Sequence, residues 1–377
     1  MTSDASAAGG LLIVDKPRGV TSFDVVAAVR GALRTKKVGH AGTLDPMATG
    51  VLVIGFGHAT RLLTAIVEHD KTYEATIRLG LSTTTDDAEG AIIPRNADEG
   101  HAENAAASFD MHNLEQTMTA VEEAIHAHFL GDISQVPNAY SAIKINGKRA
   151  YDLARDGKDV ELKARPVTIG EFVVLDARAG QASILTPGLA LGERGAGESP
   201  DAPMADVIDV DVRVSCSSGT YIRALARDLG RELGCGGHLV RLRRTRVGRF
   251  ALSDIRPVTA HTESKTFTDR EGNVVTRGKC VLDIPAELAD REARAAWLRS
   301  RALDMFEAAA GALPVIPVSA EEAAELRFGR RINRQWPDDA SRETPAAACV
   351  LAARDVVALV APAGAKQLKP VTVFATA

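Results

Sequence analysis

The stretch GHAGTLDPMATGVLVIGFGHATRL, from Gly39 to Leu62, sets a glycine-rich loop that carries one carboxylate, Asp45, immediately before an apolar strand, Val51 to Gly57. Pro46 removes a backbone donor and fixes its own φ, while Gly39, Gly42 and Gly50 permit conformations and close approaches that a side chain would forbid. Such a loop is built to present Asp45. Taken alone, an Asp-Pro pair also simply starts turns, so the surrounding chain has to decide between the two readings.

On the N-terminal side, Leu11 to Val14 reads as a buried strand and Asp15 to Val20 as a Pro/Gly loop. Ser22 then reads as the N-cap of an amphipathic helix with Val26, Val29 and Leu33 on one face. Arg34, Lys36 and Lys37 close that helix, where they suit its dipole as well as they would an RNA phosphate. Beyond the loop come a helix from about Ala59 to Glu68, a strand Lys71 to Gly80, and a second amphipathic helix marked by Leu114, Met118, Val121 and Ile125. Val210, Val212, Val214 and Cys216 alternate with polar residues as a half-buried strand does, and lead into a helix from Gly219 to Leu233 that Gly234 ends. Strand and helix follow one another irregularly, which predicts an α+β fold with a mixed sheet rather than a regular βαβ array.

Gly/Ala/Pro-rich Ala177 to Ala205 and polar His261 to Lys279 read as surface insertions. A helical segment around Leu288 to Ala310 precedes a C-terminal unit from near Pro314. There Ser319 and Glu322 form a capping-box pattern, Gly329 ends the helix, and short strands follow at Ala348 to Ala352, Val356 to Val360 and Val371 to Ala375.

The 377 residues suffice for one large domain plus a small one, and 45% hydrophobic content supplies a core. With 45 Lys and Arg against 49 Asp and Glu, the formal charge of −4 gives no global pull toward nucleic acid, so any basic surface must be local. Arg241, Arg243, Arg244, Arg246 and Arg249 make one such cluster, and acids gather at Asp86, Asp87 and Glu89. Four cysteines, Cys216, Cys235, Cys280 and Cys349, form no CxxC pair, which argues against structural zinc and a disulfide scaffold. MTSDASAAGG lacks a basic n-region and a long apolar h-region, and no apolar run could span a bilayer as a helix; the expectation is a short disordered tail on a cytoplasmic protein. No GxGxxG follows a strand and no GxxxxGK[ST] occurs, which disfavours a dehydrogenase or a P-loop enzyme.

Three further motifs bear on Asp45. CSSGTYIRALARDLG, Cys216 to Gly230, places Tyr221 and Arg223 two positions apart at a helix opening; KTYEATIRLG, Lys71 to Gly80, carries Tyr73 in an alternating strand; and LLIVDKPRGVTS carries Lys16 and Pro17. Read locally, Tyr221 is a core aromatic, Tyr73 an ordinary strand aromatic and Arg223 a surface charge. Together with GHAGTLDPMATGVL, however, the motifs strongly resemble, in order, those of the TruB family of tRNA pseudouridine synthases. The likeness runs from about Leu11 to Arg256, interrupted by Ala177 to Ala205 and by a diverged stretch near Gly90 to Asp110. Ala41 stands where the family commonly has Thr, and the Gly-rich insertion lies outside the usual core.

The resemblance implies isomerisation of uridine to pseudouridine in the T-loop of tRNA, at position 55, with Asp45 as the catalytic residue. It further implies that Arg223 pairs with that Asp, that Tyr221 and Leu242 line the uracil pocket, and that Tyr73 stacks on the base and helps remove the C5 proton. By the same likeness His40 fills the space left by the flipped nucleotide, and Lys16 and Pro17 support the loop. GDISQVPNAYSAIKINGKRAYDLARDG, Gly131 to Gly157, resembles the family's thumb, with Lys144, Lys148 and Arg149 for phosphates; read without the resemblance it is a solvated hairpin around Asn146-Gly147. Arg241, Arg243 and Arg244 are further candidate phosphate contacts.

Because nothing enters or leaves in such an isomerisation, no cofactor or metal is expected; the tRNA T-arm is the expected partner, with no guide RNA and no membrane, for a monomer. The expected organisation is a tail over 1–10, a catalytic domain over 11–257 with a thumb near 131–165 and an insertion near 177–205, an insertion and helical linker over 258–312, and a PUA-like β-rich domain over 313–377. An RNA-guided synthase subunit, or a tRNA-folding or RNA-binding protein, is the alternative reading.

Overall fold

The computed structural model describes residues 9–94, 110, 113–138, 162–253, 257–268, 272–338, 341–364 and 366–375, with the backbone alone of 144–145 and 148–149. The chain divides into two units, Met1–His69 with Thr245–Ala377 and Asp70–Arg244. The first unit opens with β1 (Gly10–Lys16), α1 (Ser22–Leu33), β2 (Val38–Ala41), β3 (Thr49–Phe56) and α2 (Leu63–Val67). The second holds β4 (Lys71–Leu79), α3 (Leu114–His128), β5 (Gly131–Gln135), β6 (Arg165–Ser183), β7 (Met204–Cys216), α4 (Ile222–Glu232) and most of β8 (Gly237–Val247). The chain then returns to the first unit with β9 (Val258–Thr268), β10 (Val274–Leu282), α5 (Arg291–Ser300), α6 (Met305–Ala312), β11 (Val315–Pro317), α7 (Ala320–Arg327), β12 (Ala346–Val350), β13 (Asp355–Pro362) and β14 (Leu368–Val373).

In the first unit the strands run β10-β9-β1-β3, with β2 also on β3. β1 is antiparallel to β3 and parallel to β9, so the sheet is mixed. Its central strands are continuous apolar runs because both faces are covered. Leu11 and Ile13 of β1, with Val51 and Val53 of β3, pack into one cluster that includes Ala308, Ala309 and Ala312 of α6. The alternate residues Leu12, Val14, Leu52 and Ile54 pack into another, against Val25, Val26, Val29 and Leu33 of α1. The period of two sends successive side chains to opposite faces, so a strand buried on both sides can spare no polar position. Truncating one of these, Leu52→Ala for instance, costs about 2–5 kcal/mol.

The smaller sheet runs β11-β12-β13-β14 and is likewise two-faced. Ala346 and Ala348 join Leu326 of α7 and Trp336, while Ala347 and Cys349 join the cluster of Leu11 and Val51. The expectation of a separate domain over 313–377 therefore meets a core shared with the larger sheet. α7 does carry the expected capping box of Ser319 and Glu322, and Gly329 follows it at φ 77°.

Unit two is built on the order β8-β4-β7-β6-β5, antiparallel from β4 to β5. Here the strands correct the expected insertion at Ala177 to Ala205: its ends are β6 and β7, paired without a break from Ala177↔Val210 to Ser183↔Met204, and only residues 184–203 form the tip. Arg78 fastens that tip. Its guanidinium forks onto both oxygens of buried Asp209, at 2.7 and 2.8 Å, and donates to the carbonyls of Pro187 and Leu189. Gly and Pro content signals turns, but cross-strand pairing decides where a strand stops.

Three other boundaries shift. His261 to Lys279 is no insertion but the hairpin of β9 and β10, and β9 joins the sheet through Val14↔Val258, so 258–312 is in part sheet rather than linker. The segment expected as one helix from Ala59 to Glu68 is a 3₁₀ turn, Gly57–Arg61, followed by α2. Thr21, not Ser22, caps α1: its hydroxyl accepts from Asp24 N while Asp24 accepts from Thr21 N. Adjacent Ser and Thr are both competent caps, and here Ser22 is buried and used otherwise.

Candidate active site

The Asp45 loop is tied down from three sides. Ser22 Oγ accepts from Leu44 N at 2.9 Å and donates to Leu44 O at 3.2 Å; Gly19 N donates to Pro46 O at 2.8 Å; and Ala48 N closes a turn onto Asp45 O at 3.1 Å. The third tie from outside the loop is Lys16, which is 0% exposed. Its ammonium donates to the carbonyls of Pro17, Pro46 and Ala48 at 3.0, 3.3 and 2.7 Å. A buried ammonium is very costly unless its three N–H donors are met, and the backbone on either side of the loop meets them. Lys16 thus acts as a strut for the loop. Leu44 and Met47 are buried beside Asp45, which is itself half-buried. Pro17 follows Lys16 directly, and His40 lies on β2 opposite Ile54.

The other candidates stand on the second unit. Tyr73 is buried on β4 opposite Val214, Leu242 is buried on β8, and Tyr221 is the residue before α4. Arg223, in the first turn of α4, is not the surface charge of the local reading. Its Nη1 lies 3.1 Å from Asp87 Oδ2 and 3.1 Å from Thr85 O. Asp87 is buried in turn, accepting from Thr85 Oγ1 at 2.5 Å and Glu89 N at 3.0 Å. Next to it Asp86 takes φ 58° and accepts from Asn138 and from Arg227, the latter at 3.2 Å. Burial pushes the Asp86 carboxyl above its ordinary range, against the pull of Arg227.

Asp87, the buried partner of Arg223, is noticed by sequence reasoning only as part of an acidic group. The available signal was its setting, TTTDDAEG, in which Thr and Asp compete for local backbone donors. Its partner 136 positions away left no local trace.

The arginine cluster divides. Arg241 is exposed, with Nε 3.3 Å from Thr76 Oγ1, and Arg243 is half-buried. Arg244 is 1% exposed and so drops out of any solvent-facing basic strip; alternation on β8 turns it inward together with Leu242. Lys144–Ile145 and Lys148–Arg149 pair as an antiparallel hairpin. The side chains of Lys144, Lys148 and Arg149, and residues 139–143, 146–147 and 150–161 of the same segment, lie outside the described residues.

Thiol chemistry has no support. All four cysteines are buried, and burial pushes the Cys280 thiol up to about 11 and the Cys349 thiol up to about 12. Among the described residues no group of His, Cys, Asp and Glu is arranged to hold a metal, and no helix is long and apolar enough to cross a membrane.

The fold is that of a pseudouridine synthase. The chain is similar, with a TM-score of 0.57 at 20% identity over 99% of this chain and 88% of the other, to a chain of the archaeal box H/ACA sRNP Nop10-Cbf5 complex, a likeness that bears on fold alone. Residues 30–187 match the TruB family pseudouridylate synthase (N terminal domain), and residues 223–272 match the tRNA pseudouridylate synthase B C-terminal domain. A tRNA pseudouridine synthase B of Bifidobacterium longum (strain NCC 2705) is 58% identical over 97% of both chains, and one of Arthrobacter sp. (strain FB24) is 44% identical over 97% of this chain and 96% of the relative. The chain belongs to the TruB family of pseudouridylate synthases.

Proposed function

We propose that this chain isomerises uridine to pseudouridine in the T-loop of tRNA, at position 55, without cofactor, metal or guide RNA. The observation that carries the reading is the identity of 58% over 97% of the chain with a protein named tRNA pseudouridine synthase B. The Asp45 loop supplies the chemical rationale: Lys16, Ser22 and Gly19 hold it rigid, so its carboxylate needs no ordering when substrate arrives.

The reaction breaks the bond from C1′ of the ribose to N1 of uracil, turns the base, and joins C1′ to C5. The C5 proton leaves and N1 gains one, so no atom is lost overall. Asp45 is the nucleophile or charge stabiliser at the sugar, after the base has left its stack. Tyr73 stacks on the base and assists the C5 proton, Tyr221 and Leu242 line the base pocket, and His40 occupies the place of the flipped nucleotide. In this reading Arg223 keeps the nucleophile ionised, and Asp87 fixes Arg223 from behind. Arg241, Arg243 and the basic residues of 144–149 meet phosphates.

The test is direct. The purified chain is incubated with an unmodified tRNA transcript, with no other RNA, and pseudouridine is mapped along the product. Pseudouridine at position 55 is the expected outcome. Modification elsewhere, or only with an added guide RNA, would overturn the assignment.

A further inference from the structure

Tyr221 is the N-cap residue of α4, yet its side chain makes no capping hydrogen bond. Its orientation comes from elsewhere. The carboxamide of Gln135, a side chain 2% exposed at the end of β5, grips the Tyr221 main chain twice. Gln135 Oε1 accepts from Tyr221 N at 2.8 Å, and Gln135 Nε2 donates to Tyr221 O at 3.0 Å. A backbone N–H can only donate and a carbonyl only accept, so the carboxamide has one orientation here and mimics a rung of strand pairing.

The rest of the loop is fastened from the neighbouring strand. Ser217 N donates to Thr168 O and Thr168 N to Ser217 Oγ, each at 2.9 Å. Tyr221 O also accepts from Leu225 N at 3.2 Å, so it belongs to the first turn of the helix that carries Arg223. The residues after Gln135 bear on the same helix: Val136 O accepts from Arg227 Nη2 at 2.8 Å, and Asn138 donates to Asp86, which in turn accepts from Arg227 Nη1 at 3.2 Å.

We propose that Gln135 is a positioning residue for the base pocket: by holding both polar groups of the Tyr221 backbone it sets the direction of the Tyr221 ring and the start of the helix bearing Arg223. The inference rests on the assignment of Tyr221 to that pocket. Gln135 touches no substrate. It acts through Tyr221, and its loss is expected to lower the rate of the chemical step more than the affinity for tRNA.

Two variants separate this role from a general structural one. Gln135→Met has similar volume and removes both hydrogen bonds. Gln135→Glu keeps the shape, but an ionised carboxylate accepts from Tyr221 N while facing Tyr221 O without a hydrogen to give. Protonation restores that donor, and burial raises the pKa at which it occurs. Single-turnover conversion of an unmodified tRNA transcript is therefore expected to fall about tenfold or more in Gln135→Met, with tRNA affinity within about twofold. For Gln135→Glu the rate relative to the parent is expected to climb as pH falls from about 8 to about 6. Amide hydrogen exchange at Tyr221, which needs no turnover, is expected to quicken in Gln135→Met.

Unchanged protection of Tyr221, a loss confined to tRNA affinity, or a Gln135→Glu ratio indifferent to pH would each overturn the proposal. Should Gln135→Met fail to fold, the pH profile of Gln135→Glu decides. A parent chain that makes no pseudouridine would instead defeat the functional assignment, while exchange at Tyr221 would still read the grip of Gln135.

Discussion

Arg223 Nη1 and Asp87 Oδ2 lie 3.1 Å apart, with their side chains only 6% and 4% exposed. Both charges are out of water, and each has further hydrogen bonds, Arg223 to Thr85 O and Asp87 from Thr85 Oγ1 and Glu89 N. A pair so enclosed is held by its whole setting. Removing one member strands the other charge, which costs about 3–5 kcal/mol, far more than an exposed pair is worth.

Asp87→Ala is accordingly expected to lower the thermal unfolding midpoint and to cut pseudouridine formation, because Arg223 loses the carboxylate that fixes it. Asp87→Asn keeps an acceptor and should retain more of both. Calorimetry and single-turnover rates on the two variants check this. Equal behaviour of Ala and Asn would show that a neutral acceptor at this position does nothing to fix Arg223.

Lys16→Met keeps the length of the side chain but removes the common donor of three carbonyls, and while Pro46 O keeps Gly19 N, those of Pro17 and Ala48 lose the bond that Lys16 gave them. Unmet buried acceptors cost about 1–3 kcal/mol each, so stability and the definition of the Asp45 loop should both suffer. The expected result is a loss of turnover larger than the loss of tRNA affinity. A variant with full turnover would remove Lys16 from the support of the loop.

For Asp45→Asn, pseudouridine formation is expected to be abolished while tRNA affinity stays within about tenfold, roughly 1.4 kcal/mol, since binding is spread over many phosphate contacts. Tritium release from C5 of labelled uridine is the measurement. Appreciable release would take Asp45 out of the mechanism.

His238 provides a pH dependence. It is wholly buried with Nδ1 2.9 Å from Leu81 O, and burial lowers its pKa below the ordinary 6.5 despite that carbonyl. Above 6.5 neither the folded nor the unfolded imidazole holds the extra proton, so the group is silent. Below it the unfolded chain takes up a proton that the fold refuses, and stability drops as pH falls toward the lowered folded pKa. Unfolding midpoints measured from about pH 7.5 to about pH 5.5 should decline less steeply in His238→Gln than in the parent. Parallel declines would assign the acid sensitivity to other groups.

How far the sequence could be read depended on the range of the interaction. Capping at Ser319, the glycine after α7, the strands of β1 and β3 and the helix of α1 are settled within a few residues, and all were legible. The one-residue error at Thr21 and Ser22 arose where two neighbours offered the same hydroxyl. Ala177 to Ala205 was misread because its composition is that of loops, whereas its ends are strands through pairing with each other, as Ala177↔Val210 and Ser183↔Met204.

What the sequence determined by itself is the chemistry on offer: a carboxylate in a glycine-rich loop, a Tyr and an Arg at a helix opening, and apolar runs that read as buried strands. What only the tertiary structure decided is the partner of each polar group. Lys16 meets Ala48 32 positions away, Gln135 meets Tyr221 86 away, and Arg223 meets Asp87 136 away. Backbone conformation follows from neighbours in the chain. Burial and hydrogen-bond partnership depend on which distant segments the fold brings together, which is why Arg244 read as a surface charge and lies inside.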